Sequence, residues 1–268
     1  PEDAVKILNP LSEDNCVMRA SLIPSLIEKL KNNLAQKNAE VRLFEIAPVF
    51  TPGEKLPSEK WVCAGLIYGL RHGFTWNMPK DWLDFYDVKG AVERVFEGFG
   101  ATGFETSSKG SHLLHPGHTA SFEINGAVAA VFGEMHPDIQ ERFGFKRPVY
   151  VFELDMDIIA IACSADKKYS PLTRFPESAR DVAFLIDAQV GYRDISSAIV
   201  KIDTKLIESV EVFDVYYGEN IPVGKRSVAL RVVYRSKDRT LLYEEVEALH
   251  SKVGAELAGR FGAQLRVG

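Results

Sequence analysis

The chain has 268 residues, of which 46% are hydrophobic and 26% are charged, as in ordinary globular proteins. This composition excludes a disordered or collagen-like chain, and no stretch approaches the roughly 18 uncharged apolar residues of a transmembrane helix. Three scattered cysteines without a Cys-x-x-Cys pair are typical of a reducing compartment, so we expect a cytoplasmic protein that does not associate with a membrane. The chain opens with Pro1 and has no signal-peptide pattern, and we expect it to be cut from a longer one.

The net charge is −5, which argues against a protein whose whole surface binds nucleic acid. Residues 225–239 (KRSVALRVVYRSKDR) nevertheless carry six basic residues and one acidic residue. Such a stretch is either a solvated strand and loop or a local contact for a phosphate backbone.

Hydrophobic periodicity predicts an α+β chain with two domains, residues 1–165 and residues 170–268, joined by a charged linker at 164–175. Ser21 is a good N-cap for a first helix, and Asn125-Gly126 is a strong hairpin signal. In the first domain we predict a mainly antiparallel sheet with strands at 41–50, 61–68, 119–125, 127–133 and 149–154, and a second helix at 88–99.

The second domain has the order β-α-β-β-α-β, which is the ferredoxin-like split βαβ fold. Its predicted strands are 181–187, 206–217, 226–235 and 264–267, and its predicted helices are 192–202 and 243–261. Both helices of such a fold cover one face of the sheet, so the other face is open for binding.

Strand alternation predicts which side chains lie on this open face. They are Asp181, Ala183, Leu185, Val212, Asp214, Tyr216, Ser227, Ala229, Arg231, Val233 and Arg235, whereas Phe213, Val215 and Tyr217 are expected in the core. The face then offers one aromatic ring, carboxylates, a hydroxyl and guanidinium groups. This set suits an unstacked nucleobase, although an ordinary polar sheet face would also show it.

Several motifs in the second domain resemble the anticodon-binding domain at the C-terminus of bacterial phenylalanyl-tRNA synthetase β subunits. They are RFPESARDVAFLID, FDVYYG, IPVGKRSVAL and TLLYEEV. The first domain resembles the catalytic-like domain of the same subunits through NPLSEDNCVMRASLIPSL, VRLFEIAPVF, DFYDVKGAVE, LHPGHTA and GEMHPDI. The resemblance covers nearly the whole chain in order, and one departure is His118, where the family pattern leads us to expect Arg or Gln.

The resemblance implies a class II synthetase-like domain followed by the ferredoxin-like domain. It further implies a non-catalytic part of phenylalanine–tRNA ligase, with the catalytic α subunit of an (αβ)₂ heterotetramer and tRNA(Phe) as partners. ATP and Mg²⁺ are expected for the whole enzyme, and no cofactor is expected in this part.

Anticodon-site residues carry over by motif position. Tyr216 would stack on a base, Asp214 and Ser227 would hydrogen-bond to base edges, and Ala183 would leave room for the base. Arg231 and Arg235 are added from the charge pattern as phosphate contacts.

Catalytic members of the synthetase family place Phe-Arg-x-Glu after a strand resembling FEIGPVF, because the Arg holds the α-phosphate of ATP. Here Thr51 and Gly53 stand at the Arg and Glu positions, and no Gly-x-Gly-x-x-Arg follows. We therefore predict no catalytic residue in this chain and expect its first domain to pack against the α subunit.

Two further motifs have simpler interpretations. Residues 98–103 match Gly-x-Gly-x-x-Gly but follow a helix rather than a strand, so we predict a helix C-cap and turn instead of a dinucleotide site. His112, His115 and His118 surround Pro-Gly, which cannot continue a helix, and no Cys or carboxylate lies within that short segment. We therefore predict a turn there and no metal site.

Two alternative functions stay open at this point. One is a stand-alone class II ligase, against which the missing Arg argues. The other is a ferredoxin-like regulatory module for a small molecule such as an amino acid, because that fold also serves such sensors.

Overall fold

A computed structural model describes residues 4–10, 16–101, 103–163, 169 and 171–266. The chain divides into two compact units, unit 1 (Pro1–Lys168) and unit 2 (Tyr169–Gly268). The predicted linker spans this division, and its residues 164–168 and 170 lie outside the described part. No helix within the described ranges is long and apolar enough to cross a membrane.

Unit 1 is built on a six-stranded antiparallel sheet with the strand order β1-β2-β6-β5-β4-β3. Its elements in chain order are α1 (Ile23–Ala35), β1 (Val41–Thr51), β2 (Ser58–Tyr68), α2 (Phe85–Phe99), β3 (Glu105–Ser107), β4 (Leu114–Ile124), β5 (Ala127–Met135), α3 (Pro137–Phe143), β6 (Tyr150–Asp155) and α4 (Met156–Ala162). The predicted strands and both predicted helices are present. Sequence analysis missed β3, α3 and α4, which are too short to show a clear period.

Local side-chain contacts explain where these elements begin and turn. The Ser21 hydroxyl accepts the Ile23 N–H at 3.1 Å, and the Asp84 carboxylate caps α2 by accepting the N–H of Tyr86 at 2.7 Å. Asn125 and Gly126 both have positive φ, 51° and 81°, as the two-residue turn between β4 and β5 requires. The predicted hairpin is thus confirmed. The N-cap of α1 is Leu22, one residue after the predicted Ser21, although the Ser21 hydroxyl still accepts an N–H of the first turn.

The two faces of the unit 1 sheet have separate cores. Leu22, Leu26 and Leu30 of the α1 segment are buried against the strand residues on one face. On the other face Phe96 of α2 packs in edge-to-face contacts with Phe104 and Phe122, with ring centroids 5.0 and 5.3 Å apart. The buried side chains of α1 and α2 thus cover the two faces of the sheet.

Unit 2 has a four-stranded antiparallel sheet with the order β10-β7-β9-β8. Its elements are β7 (Ser178–Asp187), α5 (Tyr192–Val200), β8 (Ile207–Tyr216), β9 (Lys225–Tyr234), α6 (Tyr243–Phe261) and β10 (Gln264–Leu265). The predicted ferredoxin-like order is confirmed. The last residue of the final predicted strand, Val267, lies outside the described part.

Both helices of unit 2 cover the same face of its sheet. Val246, Val253 and Leu257 of α6 and Ile195 and Ile199 of α5 belong to one buried cluster with the inward strand residues. The opposite face of the sheet carries no helix among the described residues, and we call it the open face.

A hydrogen-bonded pair of polar side chains lies on the covered face. The Tyr234 hydroxyl lies 3.0 Å from Nδ1 of His250. Burial raises the pKa of Tyr234 to about 12 and lowers the pKa of His250 below its ordinary value. The pair therefore stays neutral at neutral pH and stabilises the core without a buried charge.

Candidate nucleic-acid interface

The strand register brings four predicted site residues together on the open face. Tyr216 of β8 lies directly opposite Ser227 of β9, and in the next row Ala229 of β9 separates Asp214 of β8 from Ala183 of β7. Strands are about 4.8 Å apart and residues on one face are about 7 Å apart along a strand. These residues thus occupy a patch of about 10 by 7 Å, which matches the dimensions of a nucleobase.

The ring of Tyr216 lies over a glycine. A Cβ at Gly218 would stand 1.9 Å from the Tyr216 Oη and 2.1 Å from its Cζ, so the ring occupies the space that a side chain there would fill. Tyr216 is 46% exposed even so. The absence of a side chain at residue 218 gives the ring its position while leaving much of it accessible to a ligand.

Ser227 is buried, with 5% of its surface exposed. Its side-chain neighbour is Arg266, which sequence analysis did not single out. Nη1 of Arg266 donates to the Ser227 Oγ at 3.2 Å, and the backbone N–H of Arg266 donates to the Ala183 carbonyl at 2.9 Å. The Ser227 hydroxyl keeps its own hydrogen as a donor. The only sequence signal for Arg266 was a basic residue at the end of a very short strand.

A β-bulge in β8 makes part of the predicted alternation wrong. Val212 is opposite Leu230, a core residue, whereas Asp214 is opposite Ala229 on the open face, so Phe213 is an extra residue between them. Such an insertion reverses the side-chain alternation. Val212 therefore lies on the covered side, and Phe213, predicted in the core, is 55% exposed with its ring centroid 5.6 Å from Arg231 Cζ.

The other two residues predicted in the core with Phe213 are exposed as well. Val215 is 43% exposed and Tyr217 is 60% exposed. Val215 pairs with the core residue Val228 and so keeps the predicted side of the sheet. It is accessible because β8 is an edge strand, and edge strands are covered on fewer sides than central ones.

The two predicted phosphate contacts differ in position. Arg231 lies on the open face and donates two hydrogen bonds to the Asp181 carboxylate, at 2.8 and 2.9 Å, which lowers the pKa of Asp181. Arg235 lies eight residues along from Ser227, about 26 Å away, so the structure does not bring it close to Tyr216.

Acidic partners surround most of the basic stretch. Arg235 pairs with Glu177 and lies 2.7 Å from a Glu208 carboxylate oxygen, and Arg239 pairs with Glu245 at 2.6 Å. The phosphate roles of Arg231 and Arg235 stay a prediction, and each guanidinium would first have to leave its carboxylate. The open face is therefore better suited to bases than to phosphates.

Family models match both units of the chain. Residues 173–266 match the family model described as the ferredoxin-fold anticodon binding domain, and residues 1–156 match the phenylalanyl tRNA synthetase beta chain CLM domain. The chain belongs to the phenylalanyl-tRNA synthetase β-chain family. The resemblance stated from its motifs is thereby confirmed, as is the α+β class with a ferredoxin-like second unit.

Curated relatives carry the same family description. The chain is 40% identical over 267 residues to a phenylalanine–tRNA ligase beta subunit from Syntrophotalea carbinolica, with 98% of the chain and 33% of the relative covered. It is 40% identical over 273 residues to the corresponding subunit from Geobacter sulfurreducens, with 99% of the chain and 34% of the relative covered. The chain thus spans about a third of the length of the curated relatives it matches.

A solved pyrrolysyl tRNA synthetase from Desulfitobacterium hafniense matches 57% of the chain and 52% of its own, at 15% identity and a TM-score of 0.43. That likeness is too weak to bear on function. The family assignment depends on the two family models.

Thr51 and Gly53 are the two positions that sequence analysis compared with the ATP contacts of catalytic synthetases. Thr51 ends β1 opposite Ser58, and it has no positive charge for a phosphate. A Cβ at Gly53 would lie 2.2 Å from the Leu56 carbonyl oxygen, so the short β1–β2 loop could not carry a glutamate there without being rebuilt. These residues cannot supply the Arg and Glu contacts.

The glycine motif at residues 98–103 and the histidine segment around Pro-Gly can now be compared with their predicted structures. Gly100 has φ 66° and caps α2, which confirms the helix C-cap predicted for residues 98–103. The histidine segment is not a plain turn, because β4 begins at Leu114 and continues with a register shift up to Thr119. The rings of His115 and His118 stack with centroids 4.3 Å apart, and His118 Nδ1 lies 2.7 Å from a Glu134 carboxylate oxygen.

Unit 1 presents an apolar trough beside its edge strand. Phe44 and Ile46 of β1 are 72% and 51% exposed, and Trp61 of β2 is 50% exposed. Together with Phe99 and Val95 of α2, the β1 pair lines a cavity of about 390 Å³. An apolar patch of this kind on a folded protein is typical of an interaction surface or a ligand-binding groove.

Proposed function

We propose that this chain is the part of a cytoplasmic phenylalanine–tRNA ligase β subunit that binds the anticodon of tRNA(Phe). Unit 1 packs against the α subunit of an (αβ)₂ heterotetramer. Aminoacylation, with its ATP and Mg²⁺, takes place on the α subunit. The arrangement of Tyr216, Asp214, Ser227 and Ala183 in two adjacent rows carries the proposal, because it occurs in a unit matched by an anticodon-binding family model.

We assign one task to each residue, and the exposure of Tyr216 and Asp214 supports theirs. The exposed ring of Tyr216 stacks on a base, and the exposed Asp214 carboxylate accepts hydrogen bonds from the edge of that base. Ser227 donates its hydroxyl hydrogen, while Ala183 keeps the second row shallow. Base stacking on an aromatic ring contributes roughly 1–3 kcal/mol and is tolerant of sequence, so discrimination depends on the polar pair.

The test is Tyr216→Ala in the assembled α/β enzyme, assayed with cognate tRNA and with an anticodon-swapped transcript. We expect the affinity for the cognate tRNA to fall about 5- to 150-fold, from the stacking energy of roughly 1–3 kcal/mol. Asp214→Ala should reduce the discrimination between transcripts more than it reduces affinity for the swapped one. The matched control is Tyr243→Ala, which removes a 70% exposed ring from α6, on the helix side of the sheet. An unchanged preference in Tyr216→Ala would show that the anticodon is read elsewhere.

The α-subunit contact is tested at the apolar trough. Phe44→Asp places a charge in the trough and should abolish co-purification with a tagged α subunit, because an obligate interface tolerates few unpaired charges. Ile161→Asp is the control, since Ile161 is an 87% exposed apolar side chain on α4 that does not line the cavity. Equal recovery of both variants with α would contradict this assignment.

The division of labour is tested by pyrophosphate exchange. With Thr51 and Gly53 at the positions of the catalytic Arg and Glu, the chain without α should exchange pyrophosphate with phenylalanine and ATP only at background. Robust exchange by a preparation free of α subunit would overturn this part of the proposal.

A further inference from the structure

We propose that the open face of unit 2 holds two successive bases, and that Phe213 is the stacking platform for the second. The inference rests on the proposed anticodon function and extends it from one nucleotide to two. Its source is the β-bulge in β8, which strand alternation does not reveal.

The bulge places the aromatic ring of Phe213 on the exposed side of the sheet rather than in the core. Phe213 is 55% exposed, and it stands between Val212, which faces the core, and Asp214, which faces outward. Exposing a large apolar ring costs hydrophobic free energy, and bulges frequently re-aim a side chain beside a binding site. A ring held out on the same face as Tyr216 is therefore available to a ligand.

Arg231 lies against one side of this ring. Its Cζ is 5.6 Å from the Phe213 ring centroid, and its Nε and Nη2 donate to the two carboxylate oxygens of Asp181. Glu211 of β8 lies opposite Arg231 in the same row. The planar guanidinium is thus fixed in place with its charge balanced, and it forms a wall of the second site.

The two rings offer two separate stacking platforms along β8. Tyr216 and Phe213 are three residues apart on one strand, which corresponds to about 10 Å. Four-stranded sheets that bind single-stranded RNA use two aromatic side chains on one face to stack two or three bases. Between the two rings lie Asp214 and the small side chain of Ala229, which leave the face shallow enough for a continuous RNA strand.

The experiment measures binding of the anticodon stem-loop of tRNA(Phe) to the 268-residue chain assembled with its α subunit. Phe213→Leu keeps an apolar side chain at the bulge and removes the ring, so we expect affinity to fall about 5- to 150-fold. Phe213→Tyr keeps the ring and should bind like the unmodified chain. A purely structural role of the bulge would make Leu and Tyr alike, and thermal melting of each variant checks the fold.

Abasic RNAs then separate the two platforms. A stem-loop lacking the base adjacent to the one read by Tyr216 should bind wild type and Phe213→Leu equally, while Tyr216→Ala still weakens its binding. If Tyr216→Ala weakens binding of the intact stem-loop and Phe213→Leu does not, the second site is refuted and the anticodon function stands. If neither variant affects binding, the anticodon function itself has failed, and the second site with it.

Discussion

Replacing Arg266 with Ala should flatten the salt dependence of RNA binding. The Arg266 side chain is exposed and donates to the Ser227 Oγ at 3.2 Å, and no carboxylate pairs with it among the described residues. It is thus a cation at the edge of the open face whose charge is available to a phosphate. For single-stranded RNA each neutralised phosphate contributes about 0.7 to the slope of log affinity against log salt.

The size of the effect follows from that slope. Between 50 and 200 mM salt, a fourfold range, one lost phosphate contact changes the ratio of affinities by about 2.6-fold. The assay is fluorescence anisotropy of a labelled anticodon stem-loop at several salt concentrations, with the chain assembled with α. Arg266→Lys keeps the charge and should keep the slope of the unmodified chain.

A paired arginine on the same face is the matched control. The charge of Arg231 is already balanced by Asp181, so the double change Arg231→Gln with Asp181→Asn removes the pair without altering net charge. The slope for this variant should equal that of the unmodified chain, whereas its affinity should fall at every salt concentration because Arg231 forms a wall of the second base site. Should Arg266→Ala keep the full slope while the double variant loses it, the reasoning from ion pairing is refuted.

Two further predictions concern stability. Phe96→Ala should lower the free energy of unfolding of unit 1 by about 3–5 kcal/mol in urea, because Phe96 is fully buried and makes two edge-to-face contacts. The control is Phe99→Ala on the same helix, which should cost much less because the Phe99 ring is 45% exposed. Unit 2 should lose stability as the pH falls below about 6.5, because unfolded histidine binds a proton there while burial keeps the pKa of folded His250 lower. In His250→Gln this part of the pH dependence should vanish, and an unchanged pH profile would mean that another group is responsible.

The sequence by itself determined most of the helices and strands, and it determined much of the open face of unit 2. The Asn125-Gly126 turn, the α2 cap at Gly100 and the order of unit 2 follow from local chemistry: residues that tolerate positive φ and apolar residues at fixed periods. The rows containing Tyr216, Ser227, Asp214 and Ala183 were also predicted correctly, because alternation is regular in β7 and β9 and beyond the bulge in β8.

Only the tertiary structure decided which cations of the open face are neutralised. The basic stretch at residues 225–239 contains few acids, yet Asp181, Glu177 and Glu208 come from other strands or segments to pair with its arginines. In the same way Arg266 reaches Ser227 only because β10 pairs with β7. Ion pairs between distant residues leave no periodic signal in a single sequence.

The position of Phe213 was decided in the same way. Alternation assigned it to the core, but one inserted residue between Val212 and Asp214 reverses every assignment on the N-terminal side of the bulge. A bulge depends on how β8 matches the length and twist of β9, and no residue in FDVYYG signals it locally. Register between strands is a property of the pair, and for that reason the second ring became visible only in the folded sheet.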